Sequence, residues 1–292
     1  MPKNLIDEVV SASPNRRSFL KTIGAATAGV TALSMAGLTP AQGQTTTEVE
    51  VLKFALNLEY LESEFYTYAL FGEGIELFGI GVNGEANGSN PTSGMVTSGG
   101  KKVSFTNPNQ VLTYEIVEQI GRDERAHVTL LRSALGSQVI AKPNINLNAL
   151  GFGFDSQDDF LRLSRIFEDI GVSAYGGAAG LLSTPAIITT AARILATEAQ
   201  HVASIRTQLS VLNISTSALD AADLLPPPTG GKTRVLSINP PNGLPATRTY
   251  GEVLYLAFGG KANATSGGFF PSGVNGSLTT SSGPATAANL AT

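Results

Sequence analysis

Four long stretches of the chain carry apolar residues at steps of three and four positions, which is the spacing of one face of an α-helix. In chain order they read EVEVLKFALNLEYLESEFYTYALF, NQVLTYEIVEQIGRDERAHVTLLRSAL, QDDFLRLSRIFEDIGVSAYGGAAGLL and AIITTAARILATEAQHVASIRTQLSVL. Each is longer than an average globular helix and typical of a helix bundle. The pattern therefore predicts an all-α protein built on a four-helix bundle.

Residues that favour helix starts precede all four stretches. The predicted starts are the capping box of Thr47 and Glu50, Asn107-Pro108 with Gln110, Ser156 with Asp159, and Ser183-Thr184-Pro185. Pro108 and Pro185 are expected at the first helical position, where the missing N–H group costs nothing. Gly136 is expected to end the second helix.

The segments outside the bundle are polar and rich in glycine. An insertion over roughly residues 71–106 separates the first two helices and is predicted as loop, with one short ordered piece at 74–81. Residues 213–292 form a predicted extension rich in Pro, Gly, Ser and Thr. We expect one short helix in it at 249–258, extended chain packed on the bundle elsewhere, and disorder in the last dozen residues.

The N-terminal segment, NRRSFLKTIGAATAGVTALSMAGLTPAQG, has the pattern of a targeting sequence. Arg16 and Arg17 precede a mildly apolar run, which resembles a bacterial twin-arginine export signal with cleavage near residues 41–43. The alternative is a weak membrane anchor, which the short Gly-, Ala- and Thr-rich run disfavours. We therefore divide the chain into the signal (1–43), the bundle (44–212) and the extension (213–292), and expect a periplasmic or extracellular protein without a stable membrane span.

Composition excludes several classes of function. The chain of 292 residues has a net charge of −4 and no basic patch, which argues against nucleic acid as a partner. It has no cysteine, so disulfides, thiolate metal sites and cysteine nucleophiles are excluded. Only two histidines are present, which rules out a site built from several histidines.

Both histidines follow a glutamate by three residues and interrupt an apolar helix face. The second predicted helix carries Glu124 and His127, and the fourth carries Glu198 and His201. The corresponding faces read Val117, Ile120, Glu124, His127, Leu131, Ala134 and Ile187, Ala191, Ile194, Glu198, His201, Ile205. A glutamate and a histidine three apart lie side by side on one helix face.

The first and third helices also place a carboxylate on a face that should be buried. Glu59 precedes Tyr66 by seven residues, and Glu168 precedes Tyr175 by the same interval, which is two helical turns. The chain therefore contains two versions of one unit, Glu-x6-Tyr followed by Glu-x-x-His. The longer first version is explained by the glycine-rich insertion.

Four unpartnered carboxylates would be very costly to bury. Two divalent cations would neutralise them, and the two imidazoles would complete the ligand set. Mixed carboxylate and imidazole ligation suits iron or manganese, with zinc as an alternative. The candidate metal ligands are Glu59, Glu124, His127, Glu168, Glu198 and His201. The competing interpretation is a pair of buried Glu–His contacts without a metal.

Some assignments are open. Glu62 lies one turn after Glu59 on the same face and is the alternative ligand, although the matching Glu-x6-Tyr spacing favours Glu59. Glu64 lies off this face and is expected to be solvated. Tyr66 and Tyr175 are either hydrogen-bond donors to the ligands or redox relays, or else ordinary core tyrosines.

Three further features receive no metal role. Asp123 and Asp169 are sequence neighbours of candidate ligands, but successive helix residues face different directions. The glycines of the third helix, Gly171, Gly176 and Gly177, are interpreted as sites of close helix packing.

The order Glu, Glu-x-x-His, Glu, Glu-x-x-His on four helices is similar to the ferritin-like di-metal carboxylate proteins. The stretches ALNLEYLESEFY, DERAHVTLLRSALG and TSGGFFPSGVNGS resemble the exported, desiccation-related branch of that family. The resemblance covers about residues 47–212, and the tail less specifically. It implies the same six metal ligands, with Glu124 and Glu198 as carboxylates that bridge two metal ions.

The resemblance implies an exported di-iron or di-manganese protein. It is expected to be oxidoreductase- or ferroxidase-like, with oxygen or peroxide as a partner and a role in oxidative or desiccation stress. The alternatives are a non-catalytic, protective metal-binding protein and an iron-storage protein. The insertion after the first helix departs from the family pattern. It argues against assembly of the chain into a closed storage shell. The sequence does not choose between monomer and homo-oligomer, or name an organic substrate.

Overall fold

The predicted all-α architecture is confirmed. The computed structural model describes residues 46–108, 112–230 and 234–291, so the expected export signal at 1–43 lies outside the described residues. The four long helices are α1 (Thr46–Phe71), α2 (Thr113–Leu135), α3 (Gln157–Ala178) and α4 (Pro185–Val211), and a short α5 (Tyr250–Ala257) follows in the extension. Among these described helices, none combines the length and apolar character that crossing a membrane requires.

The four long helices pack as two pairs. Helix α1 packs mainly on α2, and α3 mainly on α4, which agrees with the two units read from the sequence. Aromatic rings join the pairs: the Phe65 ring of α1 stacks on Phe160 of α3 at 4.5 Å between ring centroids, and Phe167 meets it edge-on. The interior of the bundle is therefore closed at this level by large apolar side chains.

Two of the predicted helix starts are wrong. Helix α1 already includes Thr47, so this residue does not cap it, and the Glu50 carboxylate instead accepts a hydrogen bond from the Ser277 N–H at 2.6 Å. Helix α2 begins at Thr113 rather than at Pro108. The Asn107 side chain still reaches the start of α2, because its Oδ1 accepts from the Tyr114 N–H at 3.0 Å.

The other helix signals are confirmed. Ser156 caps α3 by accepting a hydrogen bond from the Asp159 N–H, and Pro185 is the first residue of α4. Gly136, with a φ of 54°, follows the last residue of α2. One contact at the N-terminus of α4 was not predicted from the sequence. The Glu48 carboxylate of α1 accepts a hydrogen bond from the Ser183 N–H at 2.6 Å.

The insertion folds against α1 instead of extending into solvent. Its predicted ordered piece is a 3₁₀ helix, Ile75–Phe78. A short strand, β1 (Val96–Ser98), pairs in parallel with β2 (Ile145–Asn146) in the α2–α3 connection. Two further strands, β3 (Ile238–Asn239) and β4 (Leu244–Pro245), form a small antiparallel ribbon in the extension. Two more 3₁₀ turns, Gly136–Gln138 and Ala179–Leu181, follow α2 and α3.

The expectation that Glu64 is solvated is wrong. Its side chain is fully buried and pairs with the Nζ of Lys142, and it accepts a hydrogen bond from the Ile75 N–H at 3.1 Å. Burial raises the pKa of the Glu64 carboxyl, while Lys142 acts in the opposite direction. The prediction failed because the insertion and the α2–α3 connection cover the face of α1 that points away from the bundle interior.

The C-terminal extension packs on the bundle as expected and contains the predicted helix. Helix α5 is opened by a capping box of Thr249 and Glu252. Asn57 of α1 and Asn275 exchange two hydrogen bonds of 2.8 and 2.9 Å. The expected disorder of the last dozen residues is wrong, because residues 287–290 form a 3₁₀ helix whose Asn289 side chain donates to the Thr247 carbonyl at 2.9 Å.

Buried arginines attach the extension to α3 and α4. Arg165 and Arg206 have no exposed surface, and both contact the Asp169 carboxylate at 2.7 Å. Arg165 also pairs with Asp223 of the extension, and Arg248 of the extension donates to the Ser173 hydroxyl of α3 at 3.0 Å. Paired buried charges of this kind fix one geometry, because removing either partner leaves an uncompensated charge. They hold the extension in a defined position over the bundle.

Candidate metal centre

The structure brings all six candidate ligands together in the bundle interior. They are buried, and they come from each of the four long helices: Glu59 from α1, Glu124 and His127 from α2, Glu168 from α3, and Glu198 and His201 from α4. They form two groups in which the nearest ligand atoms all lie within 4.8 Å of one another. The groups are Glu59, Glu124, His127, Glu198 and Glu124, Glu168, Glu198, His201. Glu124 and Glu198 belong to both.

Each imidazole directs its Nδ1 atom into the cluster. His127 Nδ1 lies 3.2 Å from Glu59 Oε2 and 3.3 Å from Glu198 Oε1. His201 Nδ1 lies 2.9 Å from Glu124 Oε1 and 3.3 Å from Glu168 Oε2. The two ring centroids are 6.3 Å apart, and each histidine belongs to only one of the two groups.

The cluster contains buried polar atoms that have no hydrogen-bond partner. Within the described chain, these include one oxygen each of Glu59 and Glu168, both oxygens of Glu124 and Glu198, and Nδ1 of both histidines. Buried polar groups are almost always paired, so several orphans facing one another require an explanation. Cations between these atoms would supply it, since carboxylate oxygen and imidazole nitrogen are ligands of iron and manganese.

The electrostatics of the cluster follow from burial and crowding. Burial, with Glu124 nearby and His127 opposing it, raises the pKa of Glu59 to about 7. Burial and the charge of Glu124 raise the pKa of Glu198 well above its usual range. Burial also acts on Glu124, but the two histidines outweigh it and lower the pKa of that carboxyl. The histidine pKa values are raised because, despite burial, carboxylates surround both rings. Negative charge thus exceeds what the two rings can neutralise.

The tyrosines contact the centre in a crossed arrangement. Tyr66 of α1 donates to Glu168 Oε1 of α3 at 2.5 Å, and Tyr175 of α3 donates to Glu59 Oε1 of α1 at 2.5 Å. Each tyrosine therefore bonds to the glutamate of the other unit and not to its own. The second oxygen of each glutamate stays without a hydrogen bond and faces the cluster. Burial and the adjacent carboxylates raise the pKa of both phenols well above the usual range.

The structure distinguishes between Glu59 and Glu62 as the candidate ligand from α1. Glu59 belongs to the first group, whereas Glu62 belongs to neither. Glu62 is nevertheless buried, and burial together with the charge of Glu198 raises the pKa of its carboxyl well above the usual range. It lies beside the cluster without joining it.

Asp123 contacts the site although its sequence position gave no reason to expect this. Its Oδ2 lies 3.3 Å from Nε2 of His201, on the side of the ring away from the cluster. Such a carboxylate fixes the orientation of a histidine ligand. The sequence did not predict this contact because it joins α2 to α4. Residue spacing within one helix gives no information about contacts between helices. Asp169 bonds to Arg165 and Arg206 and not to the candidate ligands.

A polar cavity of about 330 Å³ reaches the two histidines between α2 and α4. Its walls include Gln119, Asp123, Thr197, Gln200 and Ser204. Polar walls of this kind suit the passage of hydrated ions and water.

Gly171 makes room for one of the shared carboxylates. A Cβ atom at this position would lie 2.8 Å from Glu198 Oε2. By contrast, a Cβ at Gly177 would collide with the Arg248 carbonyl of the extension. The interpretation of these glycines as close-packing sites fits Gly177, whereas Gly171 packs against the centre itself.

Comparisons with known proteins agree with this geometry. Residues 47–211 match the family described as Ferritin-like domain. A stretch of 179 residues is 27% identical to the desiccation-related protein PCC13-62 of Craterostigma plantagineum, covering 56% of this chain and 53% of that protein. The chain thus spans about half the length of this curated relative.

Replacement of Gly171 by alanine tests the space around Glu198. We expect Gly171→Ala to weaken Mn²⁺ binding by about tenfold or more, because the new methyl group displaces a shared ligand. Isothermal titration of the chelator-treated protein measures this. Gly176→Ala on the same helix is the control, since its Cβ would meet Thr247 at an ordinary 3.4 Å. Equal affinity in the two variants would contradict the assignment of Glu198 to the centre.

Proposed function

Because the chain belongs to the family of ferritin-like domains, we propose that its clustered carboxylates and imidazoles bind two iron or manganese ions and that it is an oxidoreductase of the ferroxidase type. The observation that carries the proposal is the pair of ligand groups with two glutamates in common. Shared carboxylates hold two cations close enough to act on one small molecule.

The ligand roles follow from the contacts. Glu59 and His127 would hold one ion, and Glu168 and His201 the other, while Glu124 and Glu198, which belong to both groups, would contribute to each. Four carboxylates balance the charge of two divalent cations, which removes the cost of burying them. When bound, a redox-active pair of this type supplies electrons to an oxidant of the oxygen or peroxide class.

The surrounding residues orient these ligands. With metal bound, Asp123 would accept a hydrogen bond from the Nε2–H group of His201, which would leave the Nδ1 lone pair for the centre. Tyr66 and Tyr175 each hold one oxygen of Glu168 and Glu59, so the other oxygen points inward. Both phenols are protonated and lie against ligand carboxylates, which positions them to pass a proton or an electron to the centre. The polar cavity beside the histidines would admit ions and water.

The alternative function for the same site is protective and non-catalytic. Its support is the name of the relative, a desiccation-related protein, which points to a role under drying stress and does not name a reaction. In that case the ions would only cross-link the four helices. Iron storage is a further alternative that requires assembly into a cage.

Oxidation kinetics decide between these functions. We expect the protein loaded anaerobically with Fe²⁺ to oxidise it when oxygen or peroxide is added, as followed by absorbance and oxygen consumption. The Tyr66→Phe/Tyr175→Phe variant should be slower by about 10- to 100-fold at saturating metal, because the ligands lose their donors. Tyr114→Phe, at an exposed position of α2, is the control.

Metal binding without oxidant consumption would contradict the oxidoreductase proposal and favour the protective role. A particle with the mass of a multi-subunit shell and many iron atoms per chain would instead favour storage. Equal rates in the double variant and in Tyr114→Phe would remove the tyrosines from the mechanism.

We also propose export to the periplasm or beyond by the twin-arginine route, supported by Arg16, Arg17 and the mildly apolar run after them. We expect Arg16→Lys/Arg17→Lys to accumulate inside the cell, because this route requires the arginine pair. Immunoblots of cell fractions measure it, with Lys3→Gln as the control. Unchanged export of the double variant would refute this route, and recovery of the wild type in membranes would indicate an anchor.

A further inference from the structure

A second and larger cavity, of about 820 Å³, lies on another side of the metal centre. Its walls come from α1, α3, the α2–α3 connection and the C-terminal extension, and its outer end is open to solvent. The volume falls within the range of roughly 300 to 1,000 Å³ that is typical of sites enclosing a whole small molecule. It extends from exposed residues such as Ser217 and Gly259 to the buried Phe167.

The walls of this cavity are apolar at depth. Leucine, isoleucine, valine and phenylalanine side chains form most of the inner surface: Leu58, Leu61, Ile166, Phe167, Ile170 and Val253. Two charged residues, Asp159 and Arg162, also line it, but they pair with each other at 2.8 Å. Arg162 donates in addition to the Ser215 carbonyl at 2.9 Å. Their charges are thus already neutralised within the protein.

Glu62 is the exception among the deep wall residues. Its side chain is 5% exposed, and in the described part of the chain its carboxyl has no hydrogen-bond partner. Burial and the neighbouring Glu198 raise the pKa of the Glu62 carboxyl. A carboxyl group accepts hydrogen bonds in either protonation state. The cavity therefore offers one unused polar group at the end of an apolar surface.

The polar end of the cavity adjoins the metal centre. Gly171 lines the cavity, and a Cβ atom there would lie 2.8 Å from Glu198 Oε2 and 3.5 Å from Glu62 Oε1. Because Gly171 has no side chain, the cavity wall at this point lies next to the shared ligand Glu198. A molecule bonded to Glu62 would place its adjacent atoms next to the centre.

We propose that this cavity binds the organic substrate of the centre, an elongated apolar molecule with one neutral hydroxyl group that hydrogen-bonds to Glu62. The apolar chain occupies the space between α1, α3 and the extension. In the metal-free protein a carboxylate head group is disfavoured at the inner end, since the carboxyl groups of Glu62 and Glu198 lie there. The role as substrate rests on the proposed function, whereas binding to the cavity does not.

Ligand binding to the metal-free full chain tests the cavity by itself. We expect 1-decanol to bind in titration calorimetry, and decanoate to bind at least about tenfold more weakly. Ile170→Trp should reduce 1-decanol affinity by about tenfold or more, because the indole fills the cavity. Leu181→Trp, at an exposed position outside the cavity, should leave it unchanged. Since the chain has no tryptophan, each introduced indole also reports by fluorescence whether the variant is folded.

Glu62 variants test the polar contact. Glu62→Gln should keep 1-decanol affinity within a few-fold, and Glu62→Leu should lower it by about tenfold, the usual effect of losing one buried hydrogen bond. Absence of 1-decanol binding to the folded wild type would overturn the cavity proposal. Equal binding of decanoate and 1-decanol, or no effect of Glu62→Leu, would overturn the orientation toward Glu62.

Electron paramagnetic resonance of the Mn²⁺-loaded protein tests proximity to the centre. We expect 1-decanol to change the Mn²⁺ spectrum of the wild type and of Leu181→Trp, but not that of Ile170→Trp. Binding without any spectral change would overturn the substrate role and keep the cavity as a binding site. Failure to load Mn²⁺ would count against the proposed function, while the calorimetric result on metal-free protein would stand.

Discussion

The burial of four carboxylates at the centre of one helix bundle is the constraint on which the rest of this structure depends. Each of the four long helices contributes one, and Glu124 and Glu198 lie between the other two. Such a group of charges is tolerable only when cations, protons or strong donors neutralise it. The histidines and the two tyrosines meet this need as donors. Asp123 instead orients His201, and the glycine at position 171 leaves space for Glu198.

Local spacing made much of the fold and the cluster predictable. The two Glu-x-x-His pairs could be identified because residues three apart share a helix face, and Glu59 and Glu168 because each precedes a tyrosine by two turns. Contacts between helices were not predictable in this way. The crossed bonds of Tyr66 and Tyr175 and the approach of Asp123 to His201 depend on packing that no single helix encodes.

Errors occurred mainly where chain segments distant in sequence cover a helix. Glu64 lies off the face that points into the bundle, yet the insertion and Lys142 bury it. Glu50 contacts the extension through the Ser277 N–H instead of capping its own helix. The bundle therefore forms the metal site, and the insertion and extension determine what surrounds it. The extension in particular lines one side of the larger cavity, and buried arginines hold it against α3.

Metal content per chain tests the central claim most directly. Elemental mass spectrometry of protein purified without chelators should give about two iron or manganese atoms per chain, as two groups with shared carboxylates require. The Glu124→Ala/Glu198→Ala variant should lose them, whereas Glu115→Ala/Glu118→Ala on the same helix α2 should not. A well-folded wild type that is free of metal and cannot be loaded would contradict the account, and the buried carboxylates would then need another explanation.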